Sequence, residues 1–197
     1  MSDILCVTNR KLCREDFLIR VKEIALAQPK GLILREKDLP RQEYQLLAEQ
    51  VLDICREAHV PCILHSFVDA ALELRAENIH LPLPVLRSMT QPQKARFSQI
   101  GASCHSTADA LEAAQLGCTY ITAGHIFDTD CKQGLPGRGL PFLEDICQAA
   151  AVPVYAIGGI SPKNIRDVRR AGANGACLMS SLMTCENVQE LLAAMEE

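Results

Sequence analysis

Short β-type runs alternate with longer helical stretches eight times along 197 residues, about 25 residues per unit, and this repetition limits the possible folds more than any other feature. Residues 4–9 precede a helical stretch over 16–27, and 31–36 precede 41–58. In that second stretch apolar side chains fall at 44, 47, 48, 51, 52 and 55, the i, i+3, i+4 spacing of a helix with one buried face. The pattern continues as 61–66 then 68–75, 78–81 then a short turn around 84–89, and 98–105 then 107–116. It closes with 119–124 then 142–150, 153–159 then 162–171, and 175–180 then 187–195. Ser106 and Asp109 have the spacing of a capping box, with Gly117 placed to stop that helix. A doubly wound nucleotide-binding sheet needs five or six strands. Eight units with none left over predict an α/β fold, a compact (β/α)8 TIM barrel. No low-complexity segment or linker marks a boundary, so one domain is expected over 1–197.

Composition removes several classes of function. The formal charge is −4, from 20 Lys+Arg against 24 Asp+Glu, and Trp is absent beside five Phe and three Tyr. Neither a basic footprint nor an aromatic stacking platform for nucleic acid is present. The longest weakly polar stretch, 149–160, is interrupted by Pro153 and Gly158-Gly159 and is too short to span a bilayer. The amino terminus lacks the charged segment and cleavage site of a secretion signal, so a cytoplasmic chain without membrane contact is expected. Ten cysteines are scattered, mostly inside apolar runs, without C-x-x-C or zinc-ligand spacing. They read as small buried hydrophobes in a reducing compartment.

In a barrel of this kind the C-terminal strand ends and the loops after them form the active face. After the seventh strand, Gly158-Gly159 would let backbone N–H groups approach an anion, and Ser180-Ser181 end the eighth strand beside them. These loops are where barrels commonly hold phosphate; the alternative is two tight turns. At the end of the second strand Arg35 and Lys37 alternate onto one side, a seat for a carboxylate or pyrophosphate. The alternative there is a solvated loop in which Glu36 and Asp38 neutralise the pair. His125 directly follows the sixth strand and could carry a proton, although a lone histidine is more often structural. His65, His80 and His105 also lie at strand ends, but no carboxylate accompanies them there and no metal site is assigned.

Four runs appear in order along the chain: Leu34-Arg35-Glu36-Lys37-Asp38-Leu39, Ile79-His80-Leu81, Ile100-Gly101-Ala102-Ser103-Cys104-His105 and Ala156-Ile157-Gly158-Gly159-Ile160. With them the whole chain resembles thiamine phosphate synthase and its TenI-like relatives, barrels that handle a thiazole phosphate. The synthase branch joins a pyrimidine pyrophosphate to the thiazole phosphate with Mg²⁺ held by acidic residues after strands three and four. The family's Asn-Asp is His65-Ser66 here, its His-Leu-Gly-Gln-x-Asp is His80-Leu81-Pro82-Leu83-Pro84-Val85, its Gln-x-Arg-x-Lys is Ile33-Leu34-Arg35-Glu36-Lys37, and its Thr-Ser-Thr-Lys is Thr129-Asp130-Cys131-Lys132. Both magnesium-side Asp positions are therefore lost. Gly124-His125-Ile126-Phe127 instead is similar to the loop of TenI-type thiazole tautomerases. That resemblance implies a metal-independent, cofactor-free isomerase with His125 as proton carrier. It further implies a thiazole phosphate substrate bound by Arg35, Lys37, Thr129, Lys132, Gly158, Gly159, Ser180 and Ser181. The alternatives are the Mg²⁺-dependent synthase and a non-catalytic thiazole phosphate-binding regulatory barrel. Homo-oligomerisation is left open.

Overall fold

A computed structural model describes residues 2–129 and 134–196. The eight β-type runs become β1 (Ile4–Val7), β2 (Gly31–Leu34), β3 (Cys62–His65), β4 (Asn78–Pro82), β5 (Gln99–Cys104), β6 (Tyr120–Gly124), β7 (Val154–Ile157) and β8 (Gly175–Leu178). Each pairs in parallel with its sequence neighbour, and β8 returns to β1, so the sheet is a closed barrel with the strands in chain order. The expected (β/α)8 fold is what the chain adopts.

Parallel strands buried on both faces send alternate side chains to two different cores. Ile4, Cys6, Leu32, Leu34, Leu64, Ile79 and Leu81 face outward, into the large cluster shared with the helices. Leu5, Val7, Ile33, Ile63, Tyr120, Tyr155 and Cys177 face inward and fill the lumen as a separate, smaller cluster. The helices present one apolar stripe to the outer core. In α2 (Arg41–Glu57) that stripe is Tyr44, Ala48, Val51 and Cys55, with Leu47 and Leu52 packed at its margin.

Local chemistry sets where the helices begin. Asp16 Oδ1 accepts from the backbone N–H groups of Leu18 and Ile19 at 2.9 and 3.2 Å and caps α1 (Phe17–Leu26). Ser106 caps α6 (Thr107–Gln115) by accepting from Asp109 N at 3.0 Å. Between these lie α3 (Val68–Glu73), α4 (Leu83–Ser88) and α5 (Gln91–Lys94); after them come α7 (Gly139–Ala149), α8 (Ile165–Arg170), α9 (Ser180–Thr184) and α10 (Val188–Glu196). The segment read as a turn around 84–89 is instead α4, and α5 follows it before β5. Pro84 and Pro92 lie in their first turns, where a missing N–H costs nothing, and a Thr90–Gln93 capping box starts the second. The described cysteines are free thiols, and burial pushes those of Cys104 and Cys118 up to about 12 and about 11. Cys131 lies outside the described residues. Among the described residues no helix is long and apolar enough to cross a membrane.

Candidate active site

The lumen changes character at its C-terminal end. Toward the C-terminal ends of β3 to β6 the inward positions include His65, His80, Ser103 and Thr122, while Val7, Ile33, Ile157 and Cys177 line the apolar half. The two imidazoles lie nearly parallel, with ring centroids 5.7 Å apart. His80 shares hydrogen bonds with the Tyr120 hydroxyl at 3.1 Å and the Ser103 hydroxyl at 2.9 Å, and His65 Nδ1 with the Ser66 hydroxyl at 2.7 Å. Gly101 makes room for this layer: a Cβ there would lie 2.3 Å from both His80 Nδ1 and Tyr120 Cζ. Burial, with the neighbouring His80, Lys37 and Arg35 charges, lowers His65 to about 2; burial and Lys37 lower His80 to about 3. Both rings are neutral at physiological pH. The deep end of the cavity is polar but uncharged.

Charge is confined to the rim. Arg35 and Lys37 line the cavity beyond β2, as the alternation predicts. Their acidic neighbours turn the other way. Glu36, 2% exposed, accepts from the Thr8 hydroxyl at 2.7 Å, from Arg10 N at 3.0 and 3.1 Å and from the Arg10 guanidinium at 3.1 Å. Asp38 accepts from the same guanidinium at 2.7 and 2.8 Å and pairs with Lys11 at 2.9 Å, contacts that hold its carboxyl far below the usual range. Glu36 and Asp38 therefore bond to Arg10 and Lys11. The Tyr44 hydroxyl fixes the adjoining strand ends by donating to Leu34 O and accepting from His65 N, each at 2.9 Å. Farther round the rim, Arg87 pairs with Glu112 at 2.7 Å and Asp109 accepts from His105 N at 2.8 Å.

The loop after β6 is tied to itself and to β7. His125, half-buried, donates through Nε2 to Leu135 O at 3.2 Å, Arg138 N donates to His125 O at 3.1 Å, and Gly137 N donates to Asp128 Oδ1 at 2.6 Å. His105 Nδ1 donates to Gly124 O at 3.0 Å. Ile126 N and Phe127 N donate to Ile157 O and Gly158 O, both at 3.0 Å. The glycine pair permits this contact: both residues have positive φ, and Cβ atoms on Gly158 and Gly159 would lie 2.3 Å from His125 Cβ and 2.5 Å from Asp128 O. Part of the reason for Gly158-Gly159 is thus loop packing. Ser180 and Ser181 open α9, a helix not apparent in the sequence, with Met179 rather than a serine at its N-cap.

Arg35, Lys37, His125, Thr129, Gly158, Gly159, Ser180 and Ser181 all line one cavity of about 720 Å³, within the usual range for small-molecule sites. Lys132 lies outside the described residues. Sequence reasoning passed over Ser103 and Thr122; their signal is the period-two spacing 101, 103 and 120, 122, which places them beside His80.

The magnesium of the synthase reaction does not fit these residues. A hard divalent cation needs oxygen ligands, carboxylates above all. The chain offers His65-Ser66 after β3 and Pro82-Leu83 after β4, and among the described residues no cluster of His, Cys, Asp and Glu could hold an ion.

A closed barrel with one cavity at its C-terminal mouth, charged at the rim and uncharged at the floor, defines a small-molecule-site class of barrel. Residues 4–182 match the thiamine monophosphate synthase family, and the chain belongs to it. It is 33% identical over 189 residues to thiamine-phosphate synthase 2 of Streptococcus pneumoniae serotype 4, covering 93% of this chain and 88% of the relative. It is 32% identical over 190 residues to thiamine-phosphate synthase of Syntrophomonas wolfei, covering 93% and 89%. Among solved structures, thiamine phosphate pyrophosphorylase from Pyrococcus furiosus superposes with a TM-score of 0.83 at 27% identity, over 98% of this chain and 93% of that one. These names overturn the expected tautomerase branch and the isomerase assignment that rested on His125. The Gly124–Phe127 segment also serves packing: Ile126 is fully buried, the glycines permit close approach to β7, and His125 Nε2 is engaged by Leu135 O.

Proposed function

We propose that the chain is a thiamine phosphate-forming transferase, coupling a pyrimidine pyrophosphate to a thiazole phosphate at the barrel mouth. The observation that carries this reading is one cavity joining two anion-suited regions across an uncharged floor: Arg35 and Lys37 beyond β2, and Gly158, Gly159, Ser180 and Ser181 beyond β7 and β8. Two small rings, each with an anionic tail, match that distribution. In the coupling, the thiazole nitrogen lone pair forms a bond to the pyrimidine methylene carbon. The carbon–oxygen bond to pyrophosphate breaks, and its electron pair leaves with pyrophosphate. No proton is transferred, so neutral His65 and His80 and a loop-bound His125 are compatible with turnover. Arg35 and Lys37 meet the charge that grows on the leaving group, where fixed cations lower a barrier most. The uncharged floor receives the pyrimidine ring, and the β7–β8 loops hold the thiazole phosphate.

The purified protein incubated with both substrates, with and without Mg²⁺, tests this by chromatographic detection of thiamine phosphate. Product is expected only when both substrates are present, with Arg35→Gln slower by roughly 10²-fold. Absence of coupling under both conditions overturns the reading.

A further inference from the structure

The rim and floor do not suit a divalent cation, yet they suit what such a cation would neutralise. Magnesium would bring two positive charges to a pyrophosphate; Arg35 and Lys37 bring two, from one strand end and on one side of it. The nearby carboxylates are already committed, Glu36 to Thr8 and Arg10, and Asp38 to Arg10 and Lys11. The imidazole of His65, on the adjacent strand just before Ser66 where a metal-binding acid would stand, lies within the field of both cations. The Tyr44 hydroxyl holds the ends of β2 and β3 together. Among the described residues, the loops after β3 and β4 offer a Mg²⁺ ion placed here neutral nitrogen and hydroxyl groups but no carboxylate, and the carboxylate of Asp109, which also lines the cavity, is engaged by His105 N.

We infer that this chain binds the pyrophosphate group without a divalent cation, with Arg35 and Lys37 in the metal's electrostatic role. The choice of pyrophosphate rests on the coupling reading; the metal independence rests on the donor set. A guanidinium and an ammonium hold phosphate oxygens by charge-assisted hydrogen bonds. Pyrophosphate already complexed by Mg²⁺ has fewer free oxygens to offer them, so added magnesium should not strengthen binding.

Titration calorimetry of the whole protein with inorganic pyrophosphate, once in EDTA and once in excess MgCl2, tests this. Binding is expected in EDTA, with Mg²⁺ leaving it equal or weaker. Arg35→Gln and Lys37→Gln should each weaken it about tenfold or more, and Arg56→Gln, on the exposed end of α2, should leave it unchanged. The wild-type comparison decides the metal question even if a variant fails to fold. Binding that requires Mg²⁺, that tightens tenfold in it, or that is undetectable in both buffers overturns the inference. So does binding indifferent to both substitutions, which would place the anion on the β7–β8 loops. Metal-free pyrophosphate binding without coupling would preserve this site while removing the proposed reaction. Coupling that proceeds only with Mg²⁺ would do the reverse.

Discussion

Acidification should begin to destabilise the protein near pH 6.5, above the range where ordinary carboxylates titrate, because two neutral histidines are built into the cavity floor. His65 and His80 are held at about 2 and about 3 in the folded chain, against an ordinary value near 6.5 when unfolded. Between pH 3 and 6.5 the unfolded chain therefore binds protons that the folded chain refuses, so stability rises with pH and falls on acidification. At pH 4.5, two units below the unfolded value, each ring contributes a loss on the order of 2–3 kcal/mol. Together that is roughly 5 kcal/mol, against a total stability of about 5–15 kcal/mol for an ordinary domain. The paired acids lose their contribution mostly below this window; Asp38 and Glu15, for example, are already lowered by Arg10 and Arg20. Urea unfolding followed by circular dichroism at pH 7.0, 5.5 and 4.5 should show the midpoint falling throughout. His80→Gln, which keeps a polar group beside Ser103 and Tyr120, should remove about half of the pH dependence. A midpoint that is flat from pH 7.0 to 4.5, or an unaltered slope in His80→Gln, would refute a neutral imidazole floor.

Two further substitutions separate packing from chemistry. Gly158→Ala places a Cβ 2.3 Å from His125 Cβ at a backbone φ of +101°, and should cost roughly 2–4 kcal/mol; a thermal midpoint lowered by about 5–15 °C is expected, and an unchanged one contradicts the loop interlock. His125→Ala should slow coupling by less than about tenfold, because no proton moves in that reaction; a loss of about 10² or more would return a proton-transfer role to the imidazole.

The barrel was legible because eight apolar runs separated by amphipathic stretches leave few ways to bury every strand on both faces. The same alternation placed Arg35 and Lys37 on the cavity side. It could not show that Glu36 and Asp38 answer to Arg10 and Lys11, since that pairing joins strand ends about 26 residues apart in sequence. The short helices α4, α5 and α9 lacked a full periodic stripe, and α9 begins with two serines that read equally well as a strand terminus. The function erred for a similar reason. Gly124-His125-Ile126-Phe127 resembles the tautomerase loop in sequence, but its glycine and isoleucine are also required by packing, so the match alone does not select a branch.

Phosphorus NMR of the complete reaction tests the coupling directly. With pyrimidine pyrophosphate and thiazole phosphate both present, free pyrophosphate and thiamine phosphate should appear in equal amounts, and neither should form when one substrate is withheld. An unchanged spectrum, or pyrophosphate released without capture of the thiazole, would contradict a transferase at this barrel mouth.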